Sequence, residues 1–378
     1  MTKIGFLNAD LIGVAGGRAK LATPALVIDL DAMERNIAAM AAHAKTRGIA
    51  LRPHAKTHKS AEIAKLQTGA GALGVCCAKL GEAEALADAG VGSILITSPV
   101  VTERGIARLV ALNARIPGLM AVCDDLAVAK RLAEAAAGKP LRILVDIDPG
   151  MSRTGIRHAL APALVRFVAQ SNTLEYAGLQ CYAGNVQHME EPKERREKSL
   201  AAMAELGALR EALAGEGLAP KIVSGGGTGT FDIDPDARVL TELQVGSYVF
   251  MDKQYNEVWE KPGDRVPFET ALFVQTTVIS ANRDGLATTD AGFKSFATDA
   301  GTPAIASGAP EGASYFFFGD EQGGIVYDPS KGRLAPGDVV TCVVPHCDPT
   351  VNLYDCYHVM RGDTLSFIWP IEARGKSA

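Results

Sequence analysis

The chain has 378 residues, 47% hydrophobic and 21% charged, with a formal net charge of −5; that is length enough for two domains or for one barrel with an addition. A mildly acidic chain without a dense basic stripe gives no support to nucleic-acid binding, and no apolar run reaches the ~20 residues of a membrane span. Seven cysteines, an odd number without framework spacing, argue against a disulfide scaffold.

Residues 1–22 are rich in Gly and Ala and carry little pattern. After Thr23-Pro24, Ala25-Leu26-Val27-Ile28-Asp29 reads as a buried strand, and Asp29 or Asp31 caps the helix Ala32 to Arg47. The strand Gly48-Ile49-Ala50-Leu51 then opens into Arg52-Pro53-His54-Ala55-Lys56-Thr57-His58-Lys59. Apolar strands and periodic helices continue to alternate as far as the strand Glu242 to Gly246. About eight βα units in ~230 residues have the rhythm of a (β/α)8 TIM-type barrel, predicted over 23–252; a doubly wound open sheet is the other arrangement such runs allow. After Asp252 the helical period gives way to β-type runs at 272–280, 314–318, 338–344 and 365–369, separated by Gly and Pro turns. Residues 253–378 are therefore expected to form a mostly antiparallel β second domain, with 1–22 packed on it.

Three stretches carry candidate chemistry. The first is the basic turn after the second strand, because strand C-terminal ends are where α/β proteins build sites. A partly desolvated lysine beside other cations loses some preference for the ammonium form and becomes competent to form a Schiff base; read alone, the stretch also fits a solvated basic loop. The second is Ser224-Gly225-Gly226-Gly227-Thr228-Gly229-Thr230, directly after a strand, where consecutive N–H groups can turn toward a phosphate. A strand-end lysine and a phosphate cradle on one barrel suggest pyridoxal phosphate. The third is Pro345-His346-Cys347-Asp348-Pro349-Thr350 in the second domain. In extended backbone His346 and Asp348 share one side and Cys347 faces away, so imidazole and carboxylate can share Mn2+, Mg2+, Ca2+ or Zn2+. Arg153, Tyr182 and His188 are further candidates, for the cofactor's phenolic oxygen, its ring and proton transfer respectively. A surface ion pair, a core tyrosine and an exposed loop histidine are their plainer readings.

On the basic turn, the glycine loop and His346-Cys347-Asp348-Pro349-Thr350 together, the chain resembles the fold-type III pyridoxal-phosphate enzymes of alanine racemase-like fold. Within them it is similar to the group of D-threonine aldolase, D-serine dehydratase and 3-hydroxyaspartate aldolase. The resemblance runs from Thr23-Pro24 to Gly375. It implies Lys56, rather than Lys59, as the Schiff-base lysine, and His346 and Asp348 as metal ligands. Gly226, Gly227, Thr228, Gly246 and Ser247 are implied around the phosphate. It also implies a homodimer acting on D-3-hydroxy amino acids by metal-dependent retro-aldol cleavage, D-threonine first, with Mn2+ foremost among the ions; His188 is the candidate base. Asp348 stands where the dehydratases carry a cysteine, which favours the aldolases over β-elimination. The N-terminal residues lack the pattern of a secretion signal, so a reducing, cytoplasmic setting is expected.

Overall fold

The structure is a computed structural model that describes residues 5–136, 138–259 and 266–378. In chain order the elements of the first part are β1 (Ala25–Asp29), α1 (Leu30–Arg47), β2 (Ala50–Leu51), α2 (Ala61–Gly69), β3 (Val75–Cys77), α3 (Leu80–Asp88), β4 (Ser93–Ile96), α4 (Glu103–Arg115) and β5 (Gly118–Cys123). They continue with α5 (Leu126–Ala135), β6 (Leu141–Asp146), α6 (Ala161–Gln170), β7 (Leu174–Cys181), α7 (Pro192–Gly215), β8 (Ile222–Gly225), β9 (Glu242–Leu243) and α8 (Lys253–Val258).

The strands β2 to β9 make one sheet, all parallel, in the order β2-β9-β8-β7-β6-β5-β4-β3. It closes through the turn after β2: Ala55 N–H donates to Cys76 O at 2.7 Å and Cys76 N–H to Pro53 O at 2.8 Å. Alternate residues explain the apolar runs. Cys76, Leu95, Met120, Val122, Leu144 and Ala177 fill the barrel interior as one cluster. Their sequence neighbours Val75, Ile94, Ile96, Leu119, Ala121, Ile143 and Val145 pack in the larger core. The strands are apolar on both sides because both sides are covered.

The second sheet has nine strands. Its later members are β10 (Leu272–Arg283), β11 (Leu286–Thr289), β12 (Ala304–Ser307), β13 (Ser314–Phe317), β14 (Gly323–Val326) and β15 (Val339–Val343), then, past the short helix α9 (Cys347–Val351), β16 (Cys356–Arg361) and β17 (Thr364–Pro370). Its pairings are antiparallel except for one, β1 with β16. The first strand thus departs from its expected place: β1 lies between β10 and β16 rather than in the barrel. A short, fully buried apolar run fits the middle of either sheet, and its sequence does not distinguish them. Asp29 then caps α1, its carboxylate accepting Ala32 N–H at 3.0 Å.

The two parts are stitched together at the barrel's C-terminal face. Lys253 N–H donates to Val344 O at 3.0 Å, and Cys347 N–H to the Asp252 carboxylate at 2.8 Å. Tyr357 OH donates to His58 O at 2.6 Å, and Ala373 N–H to Lys59 O at 3.0 Å. These bonds set the N-terminus of α9 directly over the turn that carries Lys56. Among the described residues no helix is long and apolar enough to cross a membrane.

Candidate active site

The five basic residues of the turn after β2 separate completely. Arg52 is buried and bidentate to Glu242, at 2.9 and 3.2 Å. Lys59 is buried, has φ +52° and pairs with Glu82, whose other carboxylate oxygen accepts Ala78 N–H at 2.9 Å and Lys79 N–H at 3.1 Å. His54 and His58 are buried, and desolvation drives both imidazoles toward the neutral form, His58 down to about 4. Lys56 alone keeps its amine in the open, its side chain 41% accessible where it lines a cavity of about 640 Å3 over the strand ends.

That cavity also has Arg153, Tyr182, Gly227, Thr228, Gly246 and Ser247 in its wall. The lysine's electrostatics run opposite to the expectation from sequence. Burial lowers its pKa, but Asp348 and then Tyr182 raise it more, so the net shift is upward. The deciding neighbour is an anion, since Lys56 Nζ lies 2.5 Å from Asp348 Oδ1. The cations expected around it are either neutral histidines or turned away into ion pairs.

The opposite wall suits a phosphate. Two 3-10 turns, Thr228–Thr230 and Ser247–Val249, begin at the lining residues Gly227, Thr228, Gly246 and Ser247. Gly226 does not line the cavity; it turns the loop at φ +72°, where a side chain would also meet Asp234 Oδ2 at 2.7 Å. A Cβ on Gly246 would meet Thr57 Oγ1 at 2.7 Å. Arg153 lies over the Tyr182 ring, 5.4 Å from its centroid, and makes no ion pair among the described residues. An amine, a glycine cradle, an arginine and an aromatic ring around one cavity are the residue types that pyridoxal phosphate requires, so the site fits that group.

His346 and Asp348 meet at the lysine, though not as two residues of a strand. His346 is the residue before α9 and Asp348 lies in its first turn. The helical turn brings His346 Nε2 to 3.7 Å from Asp348 Oδ2. Cys347 is fully buried, its sulfur toward Asp252, and its thiol pKa is pushed well up by burial and then by Asp252.

Asp299, which sequence reasoning did not single out, accepts from His346 Nδ1 at 2.7 Å. That bond engages Nδ1 and turns Nε2 toward Asp348, the orientation a metal-binding imidazole needs. Asp348 is held ionised: burial raises its pKa, but Lys56 and His346 bring it down to about 2. Among the described residues no group of three or more His, Cys, Asp or Glu gathers as a ligand set. The donor set therefore fits a hard divalent ion that takes one imidazole and one carboxylate and fills its other positions with water or substrate.

His188 stays outside the cavity wall. Its ring packs on that of Tyr255, a lining residue, at 4.5 Å between centroids. Desolvation, then His346 and Lys56, lower its pKa to about 4, so it is a neutral imidazole at neutral pH. Tyr255 has no sequence signal beyond being a tyrosine in a short amphipathic helix.

Residues 28–254 match the model of the alanine racemase N-terminal domain, and residues 271–360 that of a putative serine dehydratase domain. The chain is 39% identical over 364 residues to a D-threonine aldolase of Arthrobacter sp, covering 95% of this chain and 94% of that one. It is 38% identical over 369 residues to a 3-hydroxy-D-aspartate aldolase of Paracoccus denitrificans, covering 95% and 93%. The crystal structure of a D-threonine aldolase from Filomicrobium marinum superposes with a TM-score of 0.90 at 39% identity, over 94% of this chain and 97% of that one.

Proposed function

The chain belongs to the fold-type III pyridoxal-phosphate enzymes of alanine racemase-like fold, in the group of the D-threonine and 3-hydroxyaspartate aldolases, and from that membership we propose that it cleaves D-3-hydroxy amino acids, D-threonine giving glycine and acetaldehyde. The observation that carries this reading is the position of Asp348. One of its oxygens lies 2.5 Å from Lys56 Nζ and the other 3.7 Å from His346 Nε2, so a cation site adjoins the amine.

When bound, pyridoxal phosphate supplies the electron sink for carbon–carbon cleavage, and a divalent ion, Mn2+ foremost, supplies a Lewis acid for the β-hydroxyl. Lys56 is the amine that holds the cofactor. Gly227, Thr228, Gly246 and Ser247 would take its phosphate, Gly226 bends the loop to allow this, and Arg153 and Tyr182 are the residues that would meet its phenolic oxygen and ring. His346 Nε2 and Asp348 hold the ion, with Asp299 fixing the imidazole. His188, whose ring packs on the lining Tyr255, is the proposed acceptor of the β-hydroxyl proton, which it would reach from behind that ring or through a water. All these groups come from one chain; the proposed functional unit is nonetheless a homodimer, as the resemblance implies.

The nearest rival is β-elimination. Asp348 counts against it, because the softer cysteine donor of that pattern is absent at this position and Cys347 points into the core. Incubation with D-threonine and pyridoxal phosphate, with and without Mn2+, decides. Glycine and acetaldehyde formed only with the ion support the reading. 2-Oxobutanoate moves the chain to the dehydratases, and glycine released from 3-hydroxyaspartate but not from D-threonine moves it to the other aldolase.

A further inference from the structure

Gln187 precedes His188 and is 1% exposed, yet no step above uses it. Its amide is fully engaged. Oε1 accepts from Gly229 N–H at 3.0 Å, and Nε2 donates to Ala183 O at 3.1 Å and to Thr230 Oγ1 at 3.0 Å. Backbone partners of fixed polarity at both ends leave one amide orientation possible. Thr230 Oγ1 in turn donates to Asp234 Oδ2 at 2.6 Å, and Ser199 of α7 donates to the same carboxylate.

The two loops also touch backbone to backbone. A Cβ on Gly229 would stand 2.0 Å from Gln187 O, and one on Gly227 would stand 2.5 Å from Gln187 Oε1. The glycines are therefore needed against Gln187 as well as against a phosphate.

We propose that Gln187 is a positioning residue that fastens the His188 loop to the glycine loop, so that one buried amide sets both the phosphate grip and the place of the neighbouring imidazole. The proposal rests on the cofactor reading above. By accepting from Gly229, Gln187 holds the second residue of the 3-10 turn and leaves the turn's entrance, Gly227 and Thr228, to the cavity. By donating to Ala183 and Thr230, it fixes the loop between Tyr182 and His188 relative to the same turn.

The test compares pyridoxal phosphate with pyridoxal, which lacks only the phosphate. Each is titrated into cofactor-resolved protein and followed by absorbance. Gln187→Met is expected to raise the Kd for pyridoxal phosphate about tenfold or more, the scale of a buried amide's lost hydrogen bonds, and to leave the Kd for pyridoxal unchanged. At saturating cofactor it is also expected to lower kcat with little change in KM, because His188 loses its place. If Gln187→Met does not fold, Thr230→Val, which removes one partner of the amide, is expected to show a smaller shift of the same phosphate-specific kind.

Equal losses for both ligands, or full retention of the difference between them in the variants, overturn the role of Gln187. An unchanged kcat overturns the link to His188. Wild-type protein that binds pyridoxal phosphate no better than pyridoxal removes the cofactor reading itself, and that outcome is visible before any variant is made.

Discussion

The two ends of the cavity are built by opposite means. At the barrel end, the glycine loop is held by close backbone approach and by the neutral partners Gln187 and Thr230. At the second-domain end, His346, Asp299, Asp348 and Lys56 are held by charged pairs. Each end has a carboxylate, fully buried at Asp234 and partly covered at Asp348, and the pKa values of the two are pushed apart. Burial raises Asp234 to about 6, more than the Ser199 and Thr230 hydroxyls pull it down. Burial also raises Asp348, but Lys56 and His346 outweigh it and the result is about 2. A carboxylate among hydroxyls is a support, and its charge is disfavoured. A carboxylate among cations is kept ionised and can take a metal ion in exchange for one of them.

Lys56→Ala should have the largest effect, a loss of turnover of at least about a thousandfold, together with loss of the bound cofactor's visible absorbance. Lys59→Ala sharpens the contrast within the same turn. It should keep the absorbance and instead cost about 3 kcal/mol of stability, because Glu82 is left buried without its cation; denaturant unfolding and absorbance together separate the two lysines. Absorbance retained in Lys56→Ala would falsify the assignment of the amine.

Asp348→Ala comes next, removing the ion-dependent part of turnover. Activity that survives undiminished and ignores a chelator would show that the charged end holds no metal. Asp299→Ala is expected to act on affinity rather than chemistry, weakening Mn2+ about ten- to a hundredfold through the freed imidazole. A chelator titration monitored by activity measures it, and an unchanged midpoint would remove Asp299 from the site.

How much of this was legible follows the same division. The barrel end reads from local sequence as to place: alternating βα units put the glycine run at a strand end, where Gly227 and Thr228 line the cavity, although a glycine run alone is a weak signal of a site. The charged end is only half legible. His346 and Asp348 are two residues apart in sequence and are readable as a pair, but Pro349 in the first turn marks a helix start rather than an extended strand end. Asp299 reaches His346 from a loop 47 residues away, which no local pattern reports. Lys56 and Lys59 are chemically alike in sequence. What separates them is Glu82, which serves α3 at its N-terminus and the Lys59 ammonium at once. The first strand lies outside the barrel expected from sequence because an apolar run of five residues does not say which sheet will bury it.

Asp234 gives the smallest effect, and its direction tests whether the neutral end is neutral. Its folded pKa, about 6, lies above the ordinary carboxylate value of 3.8. The folded state therefore binds the proton more tightly than the unfolded chain does. Its contribution to stability is complete below about pH 4 and is lost as pH rises through about 6. Asp146, raised to about 6 by burial against the pull of Gln180 and Thr154, titrates in the same window and in the same direction. The imidazoles of His54, His58 and His188, lowered by burial, act in the opposite sense over the same range. The contribution of Asp234 is therefore read as the difference in urea midpoint between wild type and variant across pH 4 to 7 in the cofactor-free protein. The stability gap between wild type and Asp234→Asn should shrink as pH rises through about 6, by at most about 2–3 kcal/mol for a shift of this size, while the contributions of Asp146 and the histidines are common to both proteins and cancel. Asp348, ionised in the fold throughout and in the unfolded chain above about pH 5, adds little there and is unchanged in the variant. A variant whose stability keeps the full wild-type slope would mean that Asp234 is ionised in the fold, and the two ends of the cavity would then not differ in the way their hydrogen-bond partners imply.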